Sequence, residues 1–181
     1  ELVPALECLG AVANGTAQMG HDAAYYHTGK SEGCAFFTAF PFGFTMGEMA
    51  AWIKHGNGQK LWDELYAPFG IRGFQAGSTG TQMFGWFRKE IRSLADLDGL
   101  KFRTPGNQGR VLQKLGVTPV SVPGGEIFPA LQSGAIDGAE WVGPYNDLAL
   151  GFYQVCRYYY SPGYHEPGPA LQLTVNEQAW R

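Results

Sequence analysis

The sequence has 181 residues, a formal net charge of −3, 45% hydrophobic residues and only 16% charged ones, the last figure well below the roughly 25% of an average globular protein. That balance excludes a disordered chain and a nucleic-acid-binding one, both of which carry more charge, and the length suits one ordinary domain or two small lobes. No run approaches the ~18 apolar residues of a membrane helix, and Cys8, Cys34 and Cys156, with no C-x-x-C spacing, read as small buried apolar residues rather than zinc or redox groups.

In chain order, Glu1 to Asn14 is apolar at the spacing of one helix face, with Gly15 as its stop. Ala17 to Ala24 reads as a strand. Lys30 to Gly43 is a glycine- and phenylalanine-rich loop, expected to turn the rings of Phe36, Phe37, Phe40 and Phe42 inward. Thr45 to Tyr66 holds two helical patterns broken at Gly56-Asn57-Gly58, the first opened by a Thr45/Glu48 capping box. Ile71 to Ala76 is a strand, Gly77 to Gly80 a turn, and Thr81 to Phe87 an extended segment. Arg88 to Asp98 is the most charged stretch and reads as a solvated loop. Beyond it the elements alternate: strand 101–103, helix 107–115, strand 118–122, helix 124–133 despite Pro129, strand 135–142, helix 144–155, strand 157–160 and strand 170–175. Such alternation predicts βαβ units and a parallel sheet.

The predicted fold is α/β and two-lobed, with residues 1–73 in one lobe, 74–86 crossing between lobes, 87–163 in the second lobe and 164–181 returning to the first. The opening residues already read as helix, and the last begin a helix behind an Asn176 cap. Both ends are therefore expected to be internal to a longer protein, and the lack of a signal peptide says nothing about compartment.

The stretch Ser133 to Asp147 organises the chain. Its strand delivers Glu140 and Trp141 at a carboxyl end, where open α/β sheets bind ligands. Arg103 ends another strand, and its planar fork matches a carboxylate with two parallel hydrogen bonds. The plainer alternative is a surface pair with Asp96 or Asp98. Glu140 and Glu166, with Gln82 as a neutral third donor, suit a hard cation such as Na⁺ or Ca²⁺; the alternative is two exposed, unrelated glutamates. Trp141 can wall a pocket or merely fill a core. Tyr26 and Asn146 can hydrogen-bond a ligand, or serve packing and helix capping. Pro123-Gly124-Gly125-Glu126 lacks the residues of a nucleotide loop, and His21, His27, His55 and His165 show no paired ligand spacing.

Gly99-Leu100-Lys101-Phe102-Arg103-Thr104-Pro105-Gly106, followed by Ala130-Leu131-Gln132-Ser133-Gly134-Ala135-Ile136-Asp137-Gly138, resembles the solute-binding subunit of tripartite ATP-independent periplasmic (TRAP) transporters. The segments Glu140 to Asp147 and Tyr160 to Pro169 resemble its branch for 2-oxo acids and related monocarboxylates. The resemblance implies two α/β lobes that close on a carboxylate, no catalysis, a periplasmic location and membrane transporter subunits as partners; it leaves homo-oligomerisation open. It implies that Arg103 pairs with the ligand carboxylate. It also implies that Na⁺ or Ca²⁺ is held by Gln82, Glu140, Trp141 (through its backbone oxygen) and Glu166, with Tyr26 and Asn146 as further ligand contacts. Two rival readings stand beside it. One is an enzyme with Glu140 and Glu166 as an acid–base pair, which needs carboxyl groups roughly 5–9.5 Å apart. The other is a ligand-free module sharing the fold.

Overall fold

In the computed structural model residues 2–181 are described. The chain divides into two compact units, Glu1–Ala39, Gly43–Gly80 and Gly168–Arg181 forming the first, and Phe40–Phe42 with Thr81–Pro167 the second. The α-helices are α1 (Cys8–Ala13), α2 (Met46–His55), α3 (Gly58–Tyr66), α4 (Gly106–Gln113), α5 (Gly124–Ser133), α6 (Pro144–Leu150) and α7 (Glu177–Trp180). The strands are β1 (Met19–Asp22), β2 (Ile71–Ser78), β3 (Gly85–Phe87), β4 (Lys101–Arg103), β5 (Thr118–Val120), β6 (Gly138–Ala139), β7 (Tyr158–Tyr160) and β8 (Ala170–Asn176). No helix among the described residues is long and apolar enough to cross a membrane.

The first unit carries a three-stranded antiparallel sheet in the order β1-β8-β2, with Met19 and Arg72 both opposite Val175. Helices α2 and α3 cover it, burying Met49, Ile53, Trp62 and Tyr66 with Leu9, Val12, Phe37 and Ile71. Both halves of the expected capping box at Thr45 and Glu48 form. Gly73 sets how closely α3 approaches the sheet, because a Cβ there would lie 2.7 Å from the Trp62 indole nitrogen. The expectation that all the phenylalanines of the 30–43 loop turn inward does not hold. Residues Glu32–Phe37 form a 3₁₀ helix, whose three-residue turn puts Cys34 and Phe37 on the buried side. Phe36 then faces out at 52% exposure, and Phe42, beyond the helix, is 83% exposed.

The second unit is built on a five-stranded sheet in the order β5-β4-β6-β3-β7. Strands β5, β4 and β6 run parallel, as the alternating pattern predicts, and are joined through α4 and α5. The parallel expectation does not extend further: β3 pairs antiparallel with both β6 and β7. The central strand expected over 135–142 is only Gly138–Ala139. Glycine is required there, since a Cβ on Gly138 would lie 2.6 Å from the Trp86 carbonyl oxygen. From β4 the chain moves outward to β5 and returns past β4 to β6. The strand order therefore reverses between β4 and β6, the place where open sheets leave a crevice at their carboxyl ends.

The 88–98 stretch is mostly exposed, as expected, but it is not wholly irregular: a 3₁₀ turn, Leu94–Leu97, sits behind a Ser93/Asp96 capping box and buries Leu97. The helix expected over 144–155 divides at Gly151 (φ 74°) into α6 and a 3₁₀ turn, Phe152–Gln154. Asp147, almost fully buried, anchors the start of α6. Its Oδ1 accepts from the backbone amides of Val142 and Gly143 (both 3.1 Å). Its Oδ2 accepts from the Trp86 indole N–H (2.9 Å) and the Tyr159 hydroxyl (2.8 Å). Burial first, and then this bond to a carboxylate, push the Tyr159 phenol well above its usual range. Asp147→Ala would strand four donors, all of them held in the sheet or its flanking turn. Unsatisfied buried groups cost roughly 1–3 kcal/mol each before relaxation, so we expect a net loss of about 2–4 kcal/mol in denaturant unfolding; a change below about 0.5 kcal/mol, as at an ordinary surface site, would contradict this role.

Candidate functional site

Arg103 closes β4 and is 1% exposed, a burial that arginine reaches almost only when paired. Its Nε–H donates to the Val122 carbonyl at 3.2 Å, and its Nη1 donates both to the Glu140 carbonyl (2.9 Å) and to Glu140 Oε1 (2.6 Å). The two residues are brought together by the parallel ladder: Arg103 lies opposite Ala139, and the Glu140 amide donates to the Arg103 carbonyl at 3.1 Å. The surface alternative therefore does not apply to Arg103. Asp96 is occupied instead at its own cap, accepting from the amides of Arg92 and Ser93.

Trp141 follows Glu140 and lays its ring 5.3 Å from the Arg103 guanidinium carbon, a cation–π distance. That placement depends on Gly124 at the start of α5, where a Cβ would collide with the Trp141 ring. Glu166 comes from the loop after β7, which contains a cis Ser161–Pro162 peptide. The loop is tied to the segment before β3. The Gln82 amide donates to the Glu166 carbonyl and the Gly163 amide to the Gln82 carbonyl, both at 3.1 Å. A Cβ at Gly163 would strike the Gln82 backbone. Gln82 and Glu166, each 3% exposed, thus arrive as neighbours although 84 positions apart by their numbers.

Five of the residues singled out in the sequence, Arg103, Gln82, Glu140, Trp141 and Glu166, therefore sit in the second unit on interconnected backbone. Asn146 lies in the same unit but is exposed on α6, and Asp147 does the capping weighed for it. Tyr26 belongs to the first unit, in the 3₁₀ turn Ala24–His27, edge-on to Tyr25 with ring centroids 4.9 Å apart.

Three residues of the second unit were not anticipated. His165 is 1% exposed, and its Nε2 is 3.8 Å from Glu140 Oε2. One ligand atom from each of Glu140, His165 and Glu166 falls within 4.8 Å of the others. Spacing arguments pass over His165 because Glu140, which it faces, comes from another strand. Thr104 and Gln108, both buried, pair through the Thr104 hydroxyl and Gln108 Oε1. Burial pushes the Tyr164 phenol up, and the nearby Gln108 side chain partly offsets it.

The charges in this buried group do not balance. The group holds one guanidinium, paired with Glu140, and a second carboxylate, Glu166; among the described residues Glu140 Oε2 has no hydrogen-bond partner. A carboxylate oxygen held dry needs a donor or a cation. The residues fit a cation on this ground: an orphaned buried oxygen, a second carboxylate within ligand distance, and buried Gln82 bonded through its backbone to Glu166. The same geometry disfavours the acid–base reading, because Glu140 Oε1 is already committed to Arg103 at 2.6 Å.

Comparison with known proteins follows the same line. The chain is 51% identical over 180 residues to the monocarboxylate 2-oxoacid-binding periplasmic protein of Nostoc sp., covering 99% of this chain and 50% of that one. A TRAP periplasmic solute-binding protein of Pseudoalteromonas atlantica, solved with sodium and pyruvate, superposes with a TM-score of 0.94 at 47% identity, over 97% of this chain and 53% of that one. A TRAP transporter solute-binding protein of Bordetella bronchiseptica, solved with calcium and picolinate in one site of a mixed dimer, gives 0.97 at 46% identity, over 99% and 54%. The chain thus spans about half the length of these relatives. A family model matches residues 1–181, the whole of the two-sheet α/β chain described above: the chain belongs to the bacterial extracellular solute-binding proteins of family 7.

Proposed function

We propose that this chain is the ligand-binding portion of a periplasmic TRAP receptor, which captures a small 2-oxo or 2-hydroxy monocarboxylate together with Na⁺ or Ca²⁺ and delivers both to membrane transporter subunits. The observation that carries the reading is Arg103, buried at the reversal of strand order and paired with Glu140, whose second oxygen has no hydrogen-bond partner among the described residues and lies beside a second carboxylate, Glu166. Relatives of 46–51% identity bind this ligand class or its cations.

In this reading Arg103 orients the ligand carboxylate. Glu140 holds the guanidinium in place with one oxygen and turns the other toward the cation. Gln82, Glu166 and the Trp141 carbonyl complete an oxygen shell, the donor type that both ions prefer. A bound cation supplies the positive charge that two glutamates and an anionic ligand need in a dry site. Arg103 and the cation then grip the ligand from two sides, and exclusion of water strengthens both contacts. Trp141 covers the face of the guanidinium and keeps its plane fixed. Tyr26 and Asn146 are further ligand contacts on the strength of the family resemblance.

Arg103→Lys keeps the charge and removes the fork, and Arg103→Ala removes both. We expect Arg103→Ala to weaken pyruvate binding, measured by calorimetry, by about 2–5 kcal/mol, the cost of truncating one partner of a buried charge pair. Arg103→Lys should fall between that and the unaltered protein. Full affinity in both would end the proposal.

The cation makes a separate demand. Exhaustive chelation in a sodium-free buffer should weaken pyruvate binding at least tenfold, and added Ca²⁺ or Na⁺ should restore it. Glu166→Gln should bind pyruvate more weakly and need more cation to do so. Pyruvate affinity indifferent to every cation would remove Gln82, Glu140 and Glu166 from this role.

A further inference from the structure

His165 is a buried titratable side chain of the second unit, beside the proposed cation site, to which the proposed function gives no task. Among the described residues neither of its ring nitrogens has a hydrogen-bond partner, and neither does the facing Glu140 Oε2. At 3.8 Å ring and carboxylate are too far apart to bond each other directly. Orphaned polar atoms at such depth are rare in folded proteins, and each calls for an explanation. A neutral imidazole nitrogen and a carboxylate oxygen share one property, a lone pair. A single positive centre between them satisfies both. A ligand atom of Glu166 lies in the same group, all within 4.8 Å.

We propose that His165 contributes a nitrogen donor to the cation site, and that this chain therefore accepts borderline divalent metals of the Co²⁺, Ni²⁺ and Zn²⁺ class there as well as Na⁺ or Ca²⁺. This rests on the cation site of the proposed function and deepens it. Na⁺ and Ca²⁺ select oxygen. An imidazole beside two carboxylates moves preference toward first-row transition metals, for which nitrogen is the better donor. The ligand cluster is reached from two elements, Glu140 after β6 and His165-Glu166 after β7, so the nitrogen is added without disturbing the pairing of Arg103 with Glu140.

The test is titration of the metal-free protein with Co²⁺ and, separately, with Ca²⁺, by calorimetry and by the visible absorption of bound Co²⁺. The unaltered protein is compared with His165→Gln, His165→Asn and Glu166→Gln, and thermal unfolding of the metal-free variants confirms that each is folded. We expect Co²⁺ to bind more tightly than Ca²⁺, with a spectrum that changes on removal of the imidazole. Either histidine variant should lose about 10–100-fold in Co²⁺ affinity, at least the range seen when groups supporting a metal are removed, while Ca²⁺ affinity changes little. Glu166→Gln should weaken both ions. Unchanged Co²⁺ affinity and spectrum in the histidine variants would overturn the proposal, as would an equal loss of both ions, which marks a purely structural ring. A histidine variant that lost pyruvate but kept Co²⁺ would overturn it too, by placing the imidazole on the organic ligand. Ca²⁺-dependent pyruvate binding without Co²⁺ binding would sink this inference and leave the proposed function standing. Failure of the unaltered protein to bind any cation or pyruvate would sink the function itself.

Discussion

The second unit depends on one buried ion pair. Arg103 and Glu140 are 2.6 Å apart with almost no exposure, and such a pair is worth little as glue, since desolvation offsets most of its attraction. Its value is positional. Two adjacent parallel strands end in opposite charges, the register of Arg103 against Ala139 fixes where those charges sit, and the strand order reverses at the same place. The carboxyl ends of β4 and β6 therefore form a rigid base on which a third charge, Glu166, can be added from a loop.

That loop is fixed by close contact rather than by apolar bulk. Gly163 fits against the Gln82 carbonyl because it lacks a side chain, and two 3.1 Å backbone bonds lock the segments together. Gln108, buried nearby, is held by Thr104, the residue after Arg103. The residues proposed to bind ligand and cation thus share supports, and a change in one support is felt by several of them. Farther from the charges, Asp147 acts in the same way, joining β3, β7 and the start of α6 through four hydrogen bonds.

Much of this is legible in the sequence because it is local. The capping box at Thr45, the glycine stops at Gly15 and Gly134, and the alternation from residue 101 onward all depend on neighbours within a few positions. Arg103, Glu140 and Glu166 are legible as strand-end charges. Their partners are not, because pairing depends on which strands become adjacent. His165 shows the limit most clearly: no spacing rule links it to Glu140, 25 positions earlier by their numbers. Strands β3 and β7 fall where extended segments were expected, but their antiparallel direction was hidden for a similar reason, since a three-residue strand carries too little periodicity to declare its direction. The long strand expected over 135–142 failed because its apolar pattern continues past the point where the backbone leaves the sheet at Glu140.

The shortness of β6 has a consequence for divergence. Gly138 lies against the Trp86 carbonyl, and Gly85 against the carbonyl of Ala139, so the floor beneath the charged group admits no side chain at either place. Descendants of this chain can acquire new ligand preferences by altering what stands around the charges, at Trp141, Tyr164 or His165. They cannot do so by raising the floor, and the two glycines should persist while the walls drift.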